Sequence, residues 1–186
     1  MKEIMKLGII LLIITVVASV VLTYTNEITK EPIAQQTLQA NILARQTVLS
    51  DATDFEEVDQ SEFEGYENII EVYKGMKDGE VVGYTVKTNP KGYGGEVEVM
   101  VGITGDSVIS GVNIGNHQET PGLGAKADGE FKDQYKEKSV ENELKVIKAG
   151  APKDNEVMAI SGATITSKAV NTGVNSAIKL FNEKLK

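Results

Sequence analysis

Eighteen consecutive residues without a charge, Leu7 to Tyr24 (LGIILLIITVVASVVLTY), constrain this chain more than any other stretch. As a helix they extend about 27 Å, close to the thickness of a bilayer's hydrocarbon core. The run is apolar on every face, so it is not the inward stripe of a soluble helix. A cleaved signal peptide is the competing reading, because Lys2 and Lys6 form a short basic lead. The apolar core is long for that purpose, and Ala18-Ser19 is followed by Val20, Val21 and Leu22 instead of a cleavage site. The sequence therefore predicts an uncleaved anchor. Lys2 and Lys6 before it, against Glu27 and Glu31 with Lys30 after it, predict a cytoplasmic amino terminus and an external remainder.

The chain has 186 residues and a net charge of −8. Residues 1–24 carry a net +1, so the remainder carries −9. That balance argues against nucleic acid as a partner, which requires basic surface. With no cysteine, the chain can form no disulfide and ligate no iron–sulfur cluster. Its single histidine, His117, has no second histidine or thiol with which to build a zinc site, so no metal is expected. Any redox work would need an organic cofactor.

After the anchor, Ile28 to Leu49 reads as a helix with Pro32 near its first turn and Ala34, Leu38, Ile42 and Leu49 on one side. Its expected role is that of a stalk. Asp51 to Glu71 holds nine acidic residues and no basic one, a composition that predicts solvated surface. From Asn68 onward the apolar period becomes two. Ile70 and Val72, then Val82, Tyr84 and Val86, then Val97 to Ile103, then Val108 to Ile114 predict four strands. Lys77-Asp78-Gly79 and Thr104-Gly105-Asp106-Ser107 are turn sequences, so antiparallel hairpins are the simplest connection. Asn89 to Gly95 is too rich in glycine and proline for a strand and reads as a loop around Tyr93. Ala125 to Lys138 reads as an exposed helix with Phe131 and Tyr135 one turn apart, and Leu144 to Ile147 as a short strand.

Two stretches stand out chemically. Ser161-Gly162-Ala163-Thr164-Ile165-Thr166-Ser167 places four hydroxyls at the start of a helix whose apolar positions are Val170, Val174, Ile178 and Phe181. Free N–H groups and the helix dipole make such a start hospitable to phosphate. Ordinary helix capping by Ser or Thr accounts for the same residues, and local chemistry does not choose among the hydroxyls. The second stretch, His117-Gln118-Glu119-Thr120-Pro121-Gly122-Leu123-Gly124, gathers a histidine, an acid, a hydroxyl and two glycines into a loop after the fourth strand.

Together and in this order behind one anchor, these two stretches resemble the covalent FMN-binding domains of membrane redox pumps. The resemblance is to the G subunit of Rnf-type ferredoxin:NAD oxidoreductase complexes, with the C subunit of sodium-translocating NADH:quinone oxidoreductase as a relative. It implies that Thr164 is esterified to the phosphate of FMN by a flavin transferase using FAD. It further implies that Ser161, Gly162, Ala163 and Thr166 surround that linkage, and that Glu119, Thr120, Pro121, Gly122, Leu123 and Gly124 lie against the isoalloxazine ring. His117 is assigned no proton transfer. One departure accompanies the resemblance: the acidic residue often found three positions before the motif serine is replaced here by Met158.

The expected fold is α+β, with a single transmembrane helix followed by a mostly antiparallel sheet packed with helices. The expected division is an anchor over residues 1–25, a helical stalk and acidic linker over 26–67, and an extracytoplasmic FMN-binding domain over 68–186. The expected function is that of an electron-carrying subunit with no complete activity alone, working with other membrane subunits of its complex. The contrasting expectation is a non-redox, membrane-anchored binding or assembly module in which Thr164 merely caps a helix.

Overall fold

A computed structural model describes all residues 1–186. Its contacts divide it into two units, Met1–Ile42 and Leu43–Lys186. The first unit is helical throughout. One helix, α1, runs without interruption over Lys2–Val48, so the segments expected as anchor and stalk are continuous. Pro32 lies inside it and not near a helix start. A proline there removes one hydrogen bond and costs about 3 kcal/mol, which good helix formers on both sides can absorb. The helix contains a window long and apolar enough to cross a bilayer, and no residue of that window is buried.

In the second unit five antiparallel strands form one sheet in sequence order: β1 (Asp54–Glu57), β2 (Ile69–Lys77), β3 (Glu80–Thr88), β4 (Val97–Thr104) and β5 (Ile109–His117). Strands β2 to β5 are the four that the alternating pattern predicts. Strand β1 lies inside the acidic run, where no alternation marks it. It is an edge strand, mostly exposed, and its Asp54, Glu56 and Glu57 discourage pairing with other chains. A short parallel pair follows, β6 (Lys145–Ile147) with β7 (Glu156–Met158), and then a last helix, α3 (Thr164–Leu180).

One face of the sheet meets α3. Val86, Val101 and Val112 stand side by side across β3, β4 and β5, with Val72 beside Val86 on β2. They share a core with Val170, Val174, Ile178 and Phe181, the four residues whose spacing predicts the helix. Tyr84 and Phe181 meet edge to face at 6.0 Å.

The opposite face is cut by glycines. Gly75 pairs with Gly83 and Gly102 with Gly111, so one glycine on each of β2 to β5 forms a trough across the sheet. Val48 and Leu49, at the end of α1, lie in it. A Cβ on Gly102 would fall onto the Val48 carbonyl and 2.7 Å from Ser110 Oγ, and one on Gly83 would lie 3.0 Å from Leu49 Cδ1. The Ser110 hydroxyl donates to the Val48 carbonyl at 2.5 Å, and the Arg45 guanidinium sits 3.7 Å above the Tyr73 ring. Beside the trough, buried Lys87 lies 3.7 Å from Glu71 and 3.5 Å from Glu98.

Ala125 to Lys138 corrects the expectation of an exposed helix. The chain makes one tight turn at Gly124–Asp128 and a single α-helical turn, α2, at Glu130–Asp133. Phe131 and Tyr135 are buried against each other with ring centroids 5.7 Å apart. The cause is tertiary. The following backbone is held to the edge of β5, where Ile109 N–H donates to Lys138 O at 2.9 Å and Glu137 N–H to Ile109 O at 2.8 Å. Burying both rings along that edge outweighs the weak helix propensity of a segment containing Gly129.

The trough yields a prediction. Gly102→Ala has no room for its methyl group and is expected to destabilise the domain by about 2–3 kcal/mol. Gly105→Ala, whose Cβ would meet only Val82 O at 3.8 Å, is expected to be neutral. Urea unfolding of the detergent-solubilised chain, followed by tyrosine fluorescence, measures both.

Candidate functional site

The loop after β5 and the start of α3 meet at one cavity of about 600 Å³. Its lining is Tyr93, Glu119, Thr120, Leu123, Gly124, Gly162, Ala163, Thr164, Ile165 and Thr166. Ser161, Pro121 and Gly122, which the resemblance also implies, are exposed and do not line it. Tyr93 and Ile165 line it although neither motif reading marks them as site residues. The only sequence signal for Tyr93 is its setting among Gly92, Gly94 and Gly95.

The cavity is assembled around the Glu119 side chain, which is only 5% exposed. Its Oε1 accepts hydrogen bonds from the backbone N–H groups of Tyr93 at 2.8 Å and Gly94 at 3.0 Å, and its Oε2 accepts one from the Thr166 hydroxyl. The Glu119 N–H in turn donates to His117 Nδ1 at 3.3 Å. Three segments distant in sequence thus meet at one carboxylate. The glycines around it make the approach possible. A Cβ on Gly94 would overlap the Gln118 carbonyl, and one on Gly124 would lie 2.7 Å from Thr166 Oγ1. Glu119 lines the cavity, and both oxygens of its carboxylate are engaged by hydrogen bonds from the protein itself.

The hydroxyls of the second stretch now differ. Thr166 is bonded to Glu119. Ser167 is buried, accepting from Ile160 N–H at 2.9 Å and donating to Ala163 O at 2.9 Å. Ser161 is exposed and off the cavity. Thr164, half-buried and the first residue of α3, lines the cavity, and its hydroxyl has no protein partner. The capping account fails on its own terms, because the cap position is Ala163 and no side chain caps the helix. The N–H groups at the start of this 17-residue helix therefore have no acceptor within it. Gly162, at φ +77°, makes the left-handed turn that leads into it.

Met158 lies elsewhere. It ends β7 and lines a second cavity of about 560 Å³ with Lys126, Glu130, Phe131, Gln134 and Ile160.

Burial raises the pKa of the Glu119 carboxyl, but the hydrogen bonds from Thr166, Gly94 and Tyr93 and the proximity of His117 outweigh it and hold the pKa below its ordinary value of 4.5. A folded-state pKa below the unfolded one stabilises the fold above about pH 4.5 and loses that contribution as the pH falls through the folded value. Glu119→Gln is expected to cost about 1–3 kcal/mol at pH 7, with the gap from wild type closing as the pH drops below 4.5. Urea midpoints measured between pH 7 and pH 3 check this.

Comparison with known proteins identifies the family of the chain. Residues 92–179 match the model of the FMN-binding domain, and residues 1–48 match that of the RnfG N-terminal region. The G subunit of the Na(+)-translocating ferredoxin:NAD(+) oxidoreductase complex of Acetobacterium woodii is 48% identical, over 97% of this chain and 92% of its own length. The G subunit of the ion-translocating oxidoreductase complex of Methanosarcina acetivorans is 36% identical, over 95% of this chain and 94% of its own. Among solved structures, NqrC of Shewanella oneidensis superimposes with a TM-score of 0.50 at 26% identity, over 60% of this chain and 54% of that one. The chain therefore belongs to the family of G subunits of ion-translocating ferredoxin:NAD oxidoreductase complexes, built on an FMN-binding domain and an apolar amino-terminal helix.

Proposed function

We propose that this chain is an electron carrier that holds FMN through a phosphoester to Thr164, on the extracytoplasmic side of the membrane. The observation that carries the reading is the state of the Thr164 hydroxyl, which lines the cavity and is unpartnered at the first position of an uncapped helix. A phosphate there would be met by the helix N–H groups and the positive end of the dipole. A cavity of about 600 Å³ falls in the range used for small ligands and cofactors. FMN would supply the redox chemistry, taking up and releasing electrons, which no side chain of this cysteine-free chain does. Leu123 and Tyr93 would give the ring apolar and aromatic contact, and Thr120 and the backbone of the 119–124 loop would bond its edge. Glu119 would shape the pocket from behind.

In the attachment step, Thr164 Oγ1 would form a bond to the phosphorus of the FMN half of FAD. The pyrophosphate P–O bond to the AMP half would break, with AMP as leaving group taking the bonding pair and the hydroxyl proton going to solvent. A flavin transferase would conduct this step. The neighbours in electron transfer are other membrane subunits of the complex, as expected of a chain in this family. Residues 1–25 would serve as the single anchor and 26–42 as the stalk, whereas 43–67 of the expected linker would belong with 68–186 to the flavin domain, because Val48, Leu49 and β1 are built into its sheet.

Two experiments test the proposal. With the transferase present, the wild-type band in a denaturing gel is expected to fluoresce under ultraviolet light, Thr164→Val to be dark, and Thr166→Val to remain fluorescent. A dark wild-type band, or a fluorescent Thr164→Val band, refutes the linkage. In spheroplasts, external protease is expected to digest residues 43–186, and complete protection reverses the orientation.

A further inference from the structure

The backbone that delivers Thr164 to the cavity is braced from within. Ala163 N–H donates to Ile160 O at 3.0 Å, closing a turn over Ile160 to Ala163. The Ser167 hydroxyl lies across that turn. It accepts from Ile160 N–H and donates to Ala163 O, both at 2.9 Å. Ser167 N–H bonds the same Ala163 carbonyl at 3.0 Å as the first rung of α3. Ser167 is 0% exposed, so an unmade bond there would not be replaced by water.

The arrangement inverts ordinary capping. A hydroxyl at a helix start usually sits at the cap position and satisfies the first N–H groups. Here the cap position carries only the methyl of Ala163, and the hydroxyl one turn further along fixes the incoming turn instead. The turn is held, and the N–H groups of the helix start stay available. A second brace acts upstream. The Gln134 side-chain amide accepts from Met158 N–H at 2.7 Å and donates to Met158 O at 3.1 Å, standing in for a neighbouring strand at the otherwise unpaired edge of β7.

We propose that Ser167 is a positioning residue for the esterification of Thr164, holding the Ile160–Ala163 turn so that the Thr164 hydroxyl faces the incoming phosphorus while the helix N–H groups remain free for its oxygens. Gln134 supports the same segment from the β7 side. This role rests on the flavin linkage proposed above. Neither residue lines the cavity, so both act through the backbone. A hydroxyl group that aligns an acceptor contributes to the rate of transfer and not to the affinity for the donor.

The test uses the full-length, detergent-solubilised chain with the transferase and FAD, at a temperature well below the thermal midpoint of every variant. FMN incorporation is followed by intact mass. Ser167→Ala is expected to lower kcat about tenfold with the KM for FAD unchanged, the consequence of losing roughly 1.4 kcal/mol of alignment. Gln134→Ala is expected to lower kcat about threefold, and it serves alone if Ser167→Ala does not fold. Wild-type kcat in a folded Ser167→Ala, or in Gln134→Ala where only that variant folds, overturns the positioning role, even if the thermal midpoint has dropped. A wild-type chain that gains no FMN mass overturns the linkage itself, and this role with it.

Discussion

The carboxylate of Glu119 is the interaction on which the cavity depends. It is an acceptor-only group held out of water, and it stays ionised because three donors converge on it. Hydrogen bonds to a charged group contribute about 1.5–3 kcal/mol each, whereas a buried charge deprived of its partners is strongly destabilising. The group therefore does more than fill space. It fixes the distance between the loop at Tyr93, the loop at Thr120 and the first turn of α3, and those three walls define the cavity. Gly92, Gly94 and Gly124 belong to the same constraint, since a side chain at any of them would collide with Glu119 or its immediate neighbour.

The sheet separates two tasks. Its valine face, with α3, forms the core that holds the helix start in place. Its glycine face receives Val48 and Leu49, together with the Arg45 and Tyr73 pair and the buried Lys87 between two glutamates. Because side chains alternate along a strand, residues one step apart serve these different ends: Val101 packs in the core while Gly102 admits the Val48 carbonyl. The central strands thus have no solvent face of the usual kind, and glycine marks where backbone from outside the sheet comes close.

Much of this is legible in the sequence. The uncharged run identifies the apolar helix, alternation finds β2 to β5 with their turns, and helical spacing finds α3. These are local periodic signals, and each is strong enough to survive tertiary packing. What escapes reading depends on contacts across the chain. The acidic composition of residues 51–71 hides β1, which pairs along its backbone while its side chains stay in water. Phe131 and Tyr135 have helical spacing, yet the edge of β5 draws that segment into a different path. At the cavity, the resemblance singles out Thr164, but the local chemistry of the two stretches does not tell it from Thr166. A physical ground for that distinction requires knowing that Glu119 engages Thr166 and leaves the Thr164 hydroxyl without a partner.

The openness of the cavity has a consequence for how a cofactor is kept. Tyr93 is 72% exposed, Ile165 55% and Leu123 45%, so its apolar rim lies largely in solvent. Retention by burial alone would favour a deep, closed pocket, in which most of a ligand's surface is covered. A tether removes that requirement, because a ligand joined to the wall remains at high effective concentration however weakly the rest of it is held. With the phosphate bonded to Thr164 as proposed, the pocket is free to stay shallow, and the ring can remain within reach of another protein through every turnover without being released.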